Sequence, residues 1–230
     1  MNTKTIQELL QKFTIFKGLT TPEIEPIVEL AKHRFYRRGT HIFMQGDPLT
    51  NVYFIHQGKV KIYKTDLNGK EQIVNILQPG DMFPHQGFFR KDNYPAHAEV
   101  IENAVLIYIP INQFENFLVT HPNICVKLFR VLGDLIVDLQ ARLEEQIMNN
   151  TYEQIIKLLL RLSQSHGEAQ DDGTIRLTTH FTNRELANMI GSSRETVSRT
   201  LTQLKKKHMI SNDESGYIVI DFDKLHEEIM

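Results

Sequence analysis

The 230-residue sequence contains a single cysteine, Cys125. One thiol excludes an internal disulfide framework and any iron–sulfur or zinc site built on several cysteines of one chain, which agrees with a reducing compartment. Long apolar runs are also missing, because runs such as "AVLIYIPI" at 104–111 are far shorter than the roughly 20 residues that a membrane helix needs. The first residues, "MNTKTIQELLQKF", lack an apolar signal core. We therefore expect a cytoplasmic protein without a membrane span.

Positive and negative side chains nearly balance each other, with a formal net charge of −2 and a pI near 6.6. The overall charge therefore indicates no particular partner. A content of 41% hydrophobic and 23% charged residues is typical of a soluble globular protein with one large or two small domains. The charges are unevenly distributed. Between Arg176 and His208, seven Arg or Lys residues stand against two Glu, a local cationic excess that the total hides.

The first half of the chain changes from helical to β-type patterning. Apolar residues at helical spacing over 3–34 predict two short helices, with Thr21 before Pro22 as the start of the second. Residues 35–111 then carry β-branched and aromatic runs. Four glycines punctuate this region at intervals of 12, 11 and 11 residues: Gly46, Gly58, Gly69 and Gly80. The spacing predicts an antiparallel β-barrel or jelly roll, in which "LNGK" at 67–70 forms a hairpin turn.

Helical periodicity returns after residue 112. An apolar seam at steps of 4, 3, 4, 4 and 4 residues comprises Leu128, Leu132, Leu135, Leu139, Leu143 and Ile147. Charged residues flank the seam, so it predicts a long helix that pairs with its own copy in a coiled-coil-like homodimer; packing against its own β-barrel is the alternative. The interruption "MNNT" indicates a helix stop, a cap and an interdomain hinge at Asn149 and Asn150. The polar segment at 163–173 predicts a surface loop.

The stretch "FTNRELANMIGSSRETVSRTLTQLKKKHMI" is typical of two helices joined at Gly191, with Thr182 and Glu185 in a capping-box pattern. On the second helix, four polar residues share an outward arc of about 140°: Arg194, Glu195, Ser198 and Arg199. The apolar residues on a separate arc are Val197, Leu201 and Leu204. In a major groove, Arg can be bidentate to guanine and Glu can accept a hydrogen bond from cytosine. Two Arg near a helix N-terminus, where the dipole disfavours cations, indicate a phosphate-bearing partner.

A structural role for these side chains stays open. Ser192 and Glu195 also fit a capping box, and Glu195 could pair with Arg199 one turn later, for a few tenths of a kcal/mol. Downstream, "ISNDESGYIVID" predicts two short strands that form a small wing. Two helices and a wing favour DNA binding, and we count Thr182 and Ser193 among the candidate DNA contacts as well.

With these motifs in place, the chain resembles a CRP/FNR-family transcription regulator over residues 5–225. The segment "GSSRETVSR" at 191–199 is similar to the recognition-helix signature of that family and is the most specific motif present. The resemblance implies an α+β fold in three parts. They are an N-terminal antiparallel, jelly-roll-like β-roll domain at 1–115, a dimerisation helix at 116–148 and a C-terminal winged helix-turn-helix domain at 149–230.

The resemblance also implies roles for individual residues. The implied base contacts are Arg194, Glu195, Arg199 and Ser198. Relatives with Arg, Glu and Arg at the first three places read half-sites of the TGTGA type, so the expected operator is TGTGA, six unspecified pairs and TCACA, bound by a homodimer. Activation through contact with RNA polymerase is the commoner mode in the family, and the loops at 163–173 and 65–71 are candidate surfaces for it.

The effector pocket departs from the family pattern. Members that bind cyclic AMP hold it with a Gly-Glu pair and an Arg-Ser pair, and present Thr and Ser to the adenine. The residues of this chain at those places are Pro84, His85, Pro95, Ala96, Leu139 and Gln140. Without the arginine, a cyclic phosphate would be buried with its charge unpaired. We therefore expect that cyclic AMP binding is lost and leave the effector unassigned.

Other sensing and catalytic chemistries have weaker signals. His85 lies near the place where a carbon-monoxide-sensing relative ligates haem, but a lone His in a β loop is more often structural. Cys125 could form a disulfide across the dimer axis or pack in the core. Two alternative functions are a cupin-type metal enzyme and an effector-binding module that reads no bases. The enzyme would need an H-x-H pair, which "HQG" at 85–87 and "HAE" at 97–99 do not supply. We expect no enzymatic activity, no metal and no cofactor.

Overall fold

The computed structural model describes residues 3–89 and 92–229. Met1, Asn2 and Met230, at the ends of the predicted domains, lie outside the described residues, as do Arg90 and Lys91. The chain divides into two compact units, Met1–Ile136 and Val137–Met230. Each unit is described by itself below.

The first unit opens with two helices, α1 (Thr3–Leu10) and α2 (Thr21–Leu30). Thr20 and Glu23 form a capping box in which the Thr20 amide donates to Glu23 Oε2 at 2.8 Å, and this confirms the predicted helix start at Thr21. Six strands follow: β1 (Lys32–Tyr36), β2 (His41–Phe43), β3 (Asn51–Thr65), β4 (Glu71–Leu77), β5 (Met82–Phe83) and β6 (His97–Pro110).

All strand pairs of this unit are antiparallel, in the order β1-β6-β3-β4, with β2 paired to β6 and β5 paired to β3. The long strands β3 and β6 change register around Gly58. Gly58 has a φ of +81°, and a Cβ there would lie 2.3 Å from the Asn103 carbonyl oxygen, so only glycine fits this bend. The predicted hairpin at 67–70 joins β3 to β4. The predicted N-terminal antiparallel β domain is confirmed.

Two further helices follow, α3 (Ile111–Thr120) and the 27-residue α4 (Pro122–Met148), and α4 begins in this unit and ends in the second. The core beneath the helices is built around fully buried Phe16, Phe54 and Phe114. Leu128 of α4 belongs to the same core and keeps 5% of its surface exposed. The first turns of α4 therefore pack on their own β domain, which is the alternative that the sequence left open for this stretch.

After the end of α4, the described residues of the second unit form three helices, a small sheet and a final short helix. Its helices are α5 (Thr151–His166), α6 (Asn183–Ile190), α7 (Arg194–Lys206) and α8 (Phe222–Glu227). Its antiparallel strands, in the order β7-β8-β10-β9, are β7 (Gly167–Ala169), β8 (Ile175–Leu177), β9 (Ile210–Asn212) and β10 (Ile218–Ile220). The predicted C-terminal helix-turn-helix with a wing, and with it the α+β class, is confirmed.

Two local predictions have different outcomes here. The helix stop and cap at Asn149 and Asn150 are confirmed, because α4 ends at Met148 and the Glu153 amide donates to Asn150 Oδ1 at 3.1 Å. The loop predicted at 163–173 is wrong in its first part, because α5 continues to His166 and β7 follows directly. Burial of the His166 side chain explains this extension. None of the described helices combines the length and the hydropathy of a membrane span.

Candidate nucleic-acid interface

The pair α6 and α7 is defined by its caps. Thr182 and Glu185 form the predicted capping box at the start of α6, with the Glu185 amide donating to Thr182 Oγ1 at 3.2 Å. Gly191 ends α6 with a φ of +71°, a left-handed conformation that glycine adopts without strain. Ser193 then caps α7 by accepting from the Thr196 amide at 3.1 Å. The predicted joint between two helices at Gly191 is confirmed.

Packing fixes which face of α7 meets solvent. Val197 and Leu204 have no exposed surface, and Leu201 keeps 7%. The opposite face forms a shallow groove lined by Arg194, Glu195, Ser198, Arg199, Thr202, Gln203 and Lys206. Three of these seven side chains are cationic and one is anionic. The groove thus contains the four outward residues predicted from the sequence and three more from the last two turns of the helix.

The structural role that the sequence allowed for Glu195 is not seen. The cap of α7 is Ser193 rather than Ser192, so the third helical residue that a capping box would use is Thr196. Within the part of the chain that the structure describes, the side chains of Arg194, Glu195 and Arg199 form no hydrogen bond and no ion pair. Three charged donors and acceptors are therefore exposed on one helix face without internal partners.

Thr182 and Ser193, the other two candidate DNA contacts, stand at the N-termini of α6 and α7. Both hydroxyls are engaged in capping, since Thr182 Oγ1 also donates to Glu185 Oε2 at 2.8 Å. Each nevertheless marks a helix N-terminus, where free backbone amides and the helix dipole suit a phosphate oxygen. The arrangement can bind phosphate through backbone groups rather than through these hydroxyls.

The wing holds one of the cations of the 176–208 region. The Arg176 guanidinium donates to Asp213 at 2.6 Å and lies 4.0 Å from the centroid of the Tyr217 ring. Asn212 Nδ2 donates to the Gly216 carbonyl at 2.8 Å, which closes the turn between the two predicted wing strands, β9 and β10. Arg176 is therefore neutralised inside the wing, whereas the cations Arg194, Arg199 and Lys206 line the groove on α7.

A buried cluster in the first unit's sheet contains several aromatic rings. The rings of Phe43 and Tyr94 stack at 3.6 Å, and those of Tyr53 and Phe83 stack at 5.3 Å. The Tyr94 hydroxyl accepts from the Asn51 amide at 3.1 Å, which holds the first stack in place. The candidate effector residues Pro84 and Ala96 are buried, and Pro95 is half-buried. In the sequence they stand beside or close to Phe83 and Tyr94. Their side chains offer no hydrogen bond or charge to a phosphate.

His85 lines a separate small cavity of about 110 Å³. Its walls include Phe13, Phe54, Asp81 and Val131. Burial lowers the pKa of His85 to about 4, so the imidazole is neutral at neutral pH, and burial raises the pKa of Asp81. Ligand pockets usually measure roughly 300–1,000 Å³, so this cavity does not fit a haem group.

Cys125 and His97 both make hydrogen bonds within the first unit. Cys125 Sγ donates to the Leu118 carbonyl at 3.2 Å, and its side chain packs against the core of the first unit, as the packing interpretation expects. His97 Nδ1 accepts from the Gln45 amide at 3.2 Å. Among residues 3–89 and 92–229, no three His, Cys, Asp or Glu side chains converge to hold a metal ion.

The exposed apolar surface of α4 differs from the predicted seam. Leu128 is buried, Leu132 and Leu135 are half-buried, and Leu139, Leu143 and Ile147 are exposed, at 55%, 61% and 74%. Leu128 therefore cannot contact a partner. The exposed large apolar residues of α4 are Val126, Phe129, Ile136, Val137, Leu139, Leu143, Ile147 and Met148. Gln140 is exposed among them.

Three of these residues form a stripe, of which sequence reasoning found Leu143 and missed Phe129 and Ile136. Phe129, Ile136 and Leu143 follow one another at steps of seven residues, and each is more than half exposed. A step of seven returns to nearly the same face of a helix, as in coiled coils. This heptad spacing was the signal available in the sequence. We refer to Phe129, Ile136, Leu143 and Ile147 as the α4 stripe.

Comparison with known proteins matches two domain families to this chain, one to a segment of the first unit and one to a segment of the second. Residues 33–121 match the cyclic nucleotide-binding domain, and residues 153–228 match the Crp-like helix-turn-helix domain. The two matches together span more than half of the chain.

Individual relatives match over most of their length. The CRP-like cAMP-activated global transcriptional regulator of Mycobacterium tuberculosis is 27% identical over 220 residues, which cover 96% of this chain and 98% of that protein. The global nitrogen regulator of Synechocystis sp. is 29% identical over 200 residues, which cover 86% of each chain. The structure of FixK2 from Bradyrhizobium japonicum has a TM-score of 0.75 at 22% identity, covering 86% of this chain and 96% of that one, and shows a shared fold.

Proposed function

The chain belongs to the CRP/FNR family of DNA-binding transcription regulators, which are not enzymes, and we propose that it binds a near-palindromic operator as a homodimer. The operator has the form TGTGA, six unspecified pairs and TCACA. Residues 1–115 serve as a sensor-like domain, 116–148 as the dimerisation helix and 149–230 as the DNA-binding domain. The protein acts in the cytoplasm.

The observation that carries this proposal is the unpaired charge on α7. Arg194, Glu195 and Arg199 are exposed on one face and have no internal partner within the described residues. Holding two arginines near a helix N-terminus costs free energy unless an anion lies opposite. In a major groove the arginines bind guanine edges and the glutamate accepts from cytosine N4. The N-termini at Thr182 and Ser193 bind flanking phosphates through backbone amides, and Ser198 lies beside the base contacts.

Dimerisation through the α4 stripe supplies the second recognition helix. An operator with two half-sites about 34 Å apart requires two copies of α7 related by a two-fold axis. The α4 stripe is the apolar surface that fits a parallel partner helix, because its heptad spacing keeps it on one face. Its exposed side chains are buried in the homodimer.

A direct binding test uses two duplexes of about 30 base pairs with the same composition. One carries TGTGA, six pairs and TCACA, and the other carries scrambled half-sites. We expect fluorescence anisotropy to give an affinity for the first duplex at least about 10³-fold tighter, which is the lower end for specific recognition. Equal affinities for the two duplexes would exclude base-specific recognition of this operator.

The bound dimer activates transcription through contact with RNA polymerase. The candidate surfaces are the tip between β3 and β4 at 65–71, where Leu67 is fully exposed, and the exposed part of 163–173 that follows β7. Both are turns with polar flanks, which suits a transient protein contact better than a permanent one.

Cyclic AMP is expected neither to bind nor to change DNA affinity. Pro84, Pro95 and Ala96 offer no charge to the cyclic phosphate, and Phe43 and Tyr94 stack in the buried cluster of this unit. Isothermal titration with cyclic AMP should therefore show no binding heat, while titration of the same preparation with the operator duplex shows that the protein is active. A micromolar Kd for cyclic AMP together with tighter operator binding would overturn this assignment.

A further inference from the structure

Three helix ends meet at a small polar cluster in the second unit. Tyr152 is the second residue of α5, Lys207 follows α7, and Glu228 follows α8. The Tyr152 hydroxyl donates to Glu228 Oε1 at 2.9 Å, and the Lys207 ammonium donates to the same carboxylate oxygen. The Lys207 ammonium also donates to the Tyr152 hydroxyl at 3.4 Å. These three residues are termed the latch.

The latch distinguishes Lys207 from its neighbours in the lysine run at 205–207. The pKa of Lys207 is raised, first by its hydrogen bond to Glu228, and the pKa of Glu228 is lowered, first by the same bond. The ammonium lies 5.6 Å from the centroid of the Tyr152 ring, within cation–π distance. Lys205 and Lys206 have no ion pair in the described part of the chain. Lys207 is therefore occupied inside the protein, whereas Lys206 lines the groove on α7.

The latch lies beside the junction between α4 and α5. At that junction the Asn150 amide donates to Glu153 Oε2 at 3.1 Å and the Glu153 amide returns a bond to Asn150. Gln154 Nε2 donates to the Asn149 carbonyl at 2.9 Å. Tyr152 belongs to the same first turn of α5. The hydrogen-bonded junction thus holds Tyr152, and Tyr152 contacts Lys207, the residue that follows α7.

We propose that the latch sets the tilt of α7, which makes Tyr152, Lys207 and Glu228 positioning residues for operator recognition. The inference rests on the proposed DNA binding. With 13 residues, α7 is about 20 Å long, so a tilt of about 5° at one end moves the other by about 1.7 Å. Recognition sites need their groups placed within about 0.5 Å. Loosening the end at Lys207 therefore displaces Arg194 and Glu195 from the base edges.

Tyr152→Phe isolates this effect because it removes one hydroxyl and no charge. In anisotropy titrations with the TGTGA-type duplex and its scrambled control, we expect operator affinity to fall about 3- to 10-fold. Affinity for the scrambled duplex and the slope of log affinity against log salt should stay unchanged. Lys207→Met should behave in the same way, and Lys207→Arg, which keeps a donor for Glu228, should restore most of the operator affinity. Circular dichroism and a melting curve establish that each variant is folded.

Lys206→Met is the matched control, because Lys206 lies in the groove and not in the latch. It should weaken binding to both duplexes. It should also reduce the slope of log affinity against log salt by about 1 for every phosphate that Lys206 neutralises in the wild type. If Lys207→Met lowers the salt slope in the same way, Lys207 binds phosphate and the latch is refuted. If Tyr152→Phe lowers the melting temperature but leaves operator affinity unchanged, the cluster is only structural and the proposal also fails. A wild-type protein that does not distinguish the two duplexes would instead overturn the proposed function, and the latch with it.

Discussion

Ile136→Glu is expected to convert the homodimer into monomers and to weaken operator binding at least about 100-fold. Ile136 lies at the centre of the α4 stripe with 56% of its surface exposed, so a dimer through this stripe brings two copies together at the axis. Burying two like charges there costs about 3 kcal/mol or more, and each 1.4 kcal/mol is about tenfold in affinity. Monomers hold one recognition helix and cannot bind the second half-site.

Sedimentation velocity measures the first effect, and anisotropy with the operator duplex measures the second. Leu143→Glu should act like Ile136→Glu, whereas Leu139→Glu, at the edge of the stripe, should have a smaller effect. Val119→Glu is the matched control, because Val119 is 66% exposed on α3 and lies outside the α4 stripe. If both Ile136→Glu and Leu143→Glu remain dimers, the α4 stripe is not the main interface.

Arg194→Ala is expected to weaken operator binding by about 2 to 6 kcal/mol and to relax the preference at one guanine in each half-site. Each bidentate contact between arginine and guanine is worth about 1 to 3 kcal/mol, and the substitution removes two of them from a homodimer. Affinity for a scrambled duplex should change much less, because phosphate contacts carry most of the non-specific binding. Competition titrations with both duplexes give the ratio of the two affinities.

Arg37→Ala controls for the loss of one positive charge, because Arg37 is exposed in the other unit. It should leave the ratio of operator to scrambled affinity unchanged. If Arg194→Ala weakened binding to both duplexes by the same factor, the result would contradict base recognition by Arg194. Arg194 would then be one more phosphate contact, and sequence preference would have to come from other residues of the groove.

The DNA-binding part of the fold could be predicted well because its signals are local. Thr182 with Glu185 and the left-handed Gly191 mark helix ends within a few residues of each other. The buried positions Val197, Leu201 and Leu204 then determine the outward face. Whether Glu195 caps the helix or stays free could not be decided from sequence, because Ser192 and Ser193 both fit a capping role. In the structure Ser193 is the N-cap of α7, so Glu195 does not take part in a capping box.

The predicted seam failed at one end for a geometric reason. Steps of four residues overshoot a helical turn by about 40° each, so the line from Leu128 to Ile147 drifts around α4 by about 100°. It begins in the core at Leu128 and ends exposed at Ile147. Steps of seven drift by only about 20°, which keeps Phe129 and Ile136 on one face.

Long-range contacts were beyond local reasoning altogether. Tyr152 and Glu228 meet although 76 positions separate them, and no periodicity links a helix start to the end of the chain. The stack of Phe43 on Tyr94 likewise depends on how strand β2 meets the segment that precedes β6. Patterning assigns such residues to the core or to the surface, but their partners follow only from the tertiary fold.

The most direct test of base recognition is selection of binding sites from random duplexes with the wild type, Arg194→Ala and Glu195→Gln. The wild type should return TGTGA, six unspecified pairs and TCACA, and each variant should change the preferred base at one position in each half-site. Glu195 is decisive, because within the described residues its side chain makes no internal hydrogen bond or ion pair whose loss could explain a changed preference. If all three proteins return the same consensus, these residues do not specify sequence, and the charges on α7 form an ordinary solvent-exposed surface.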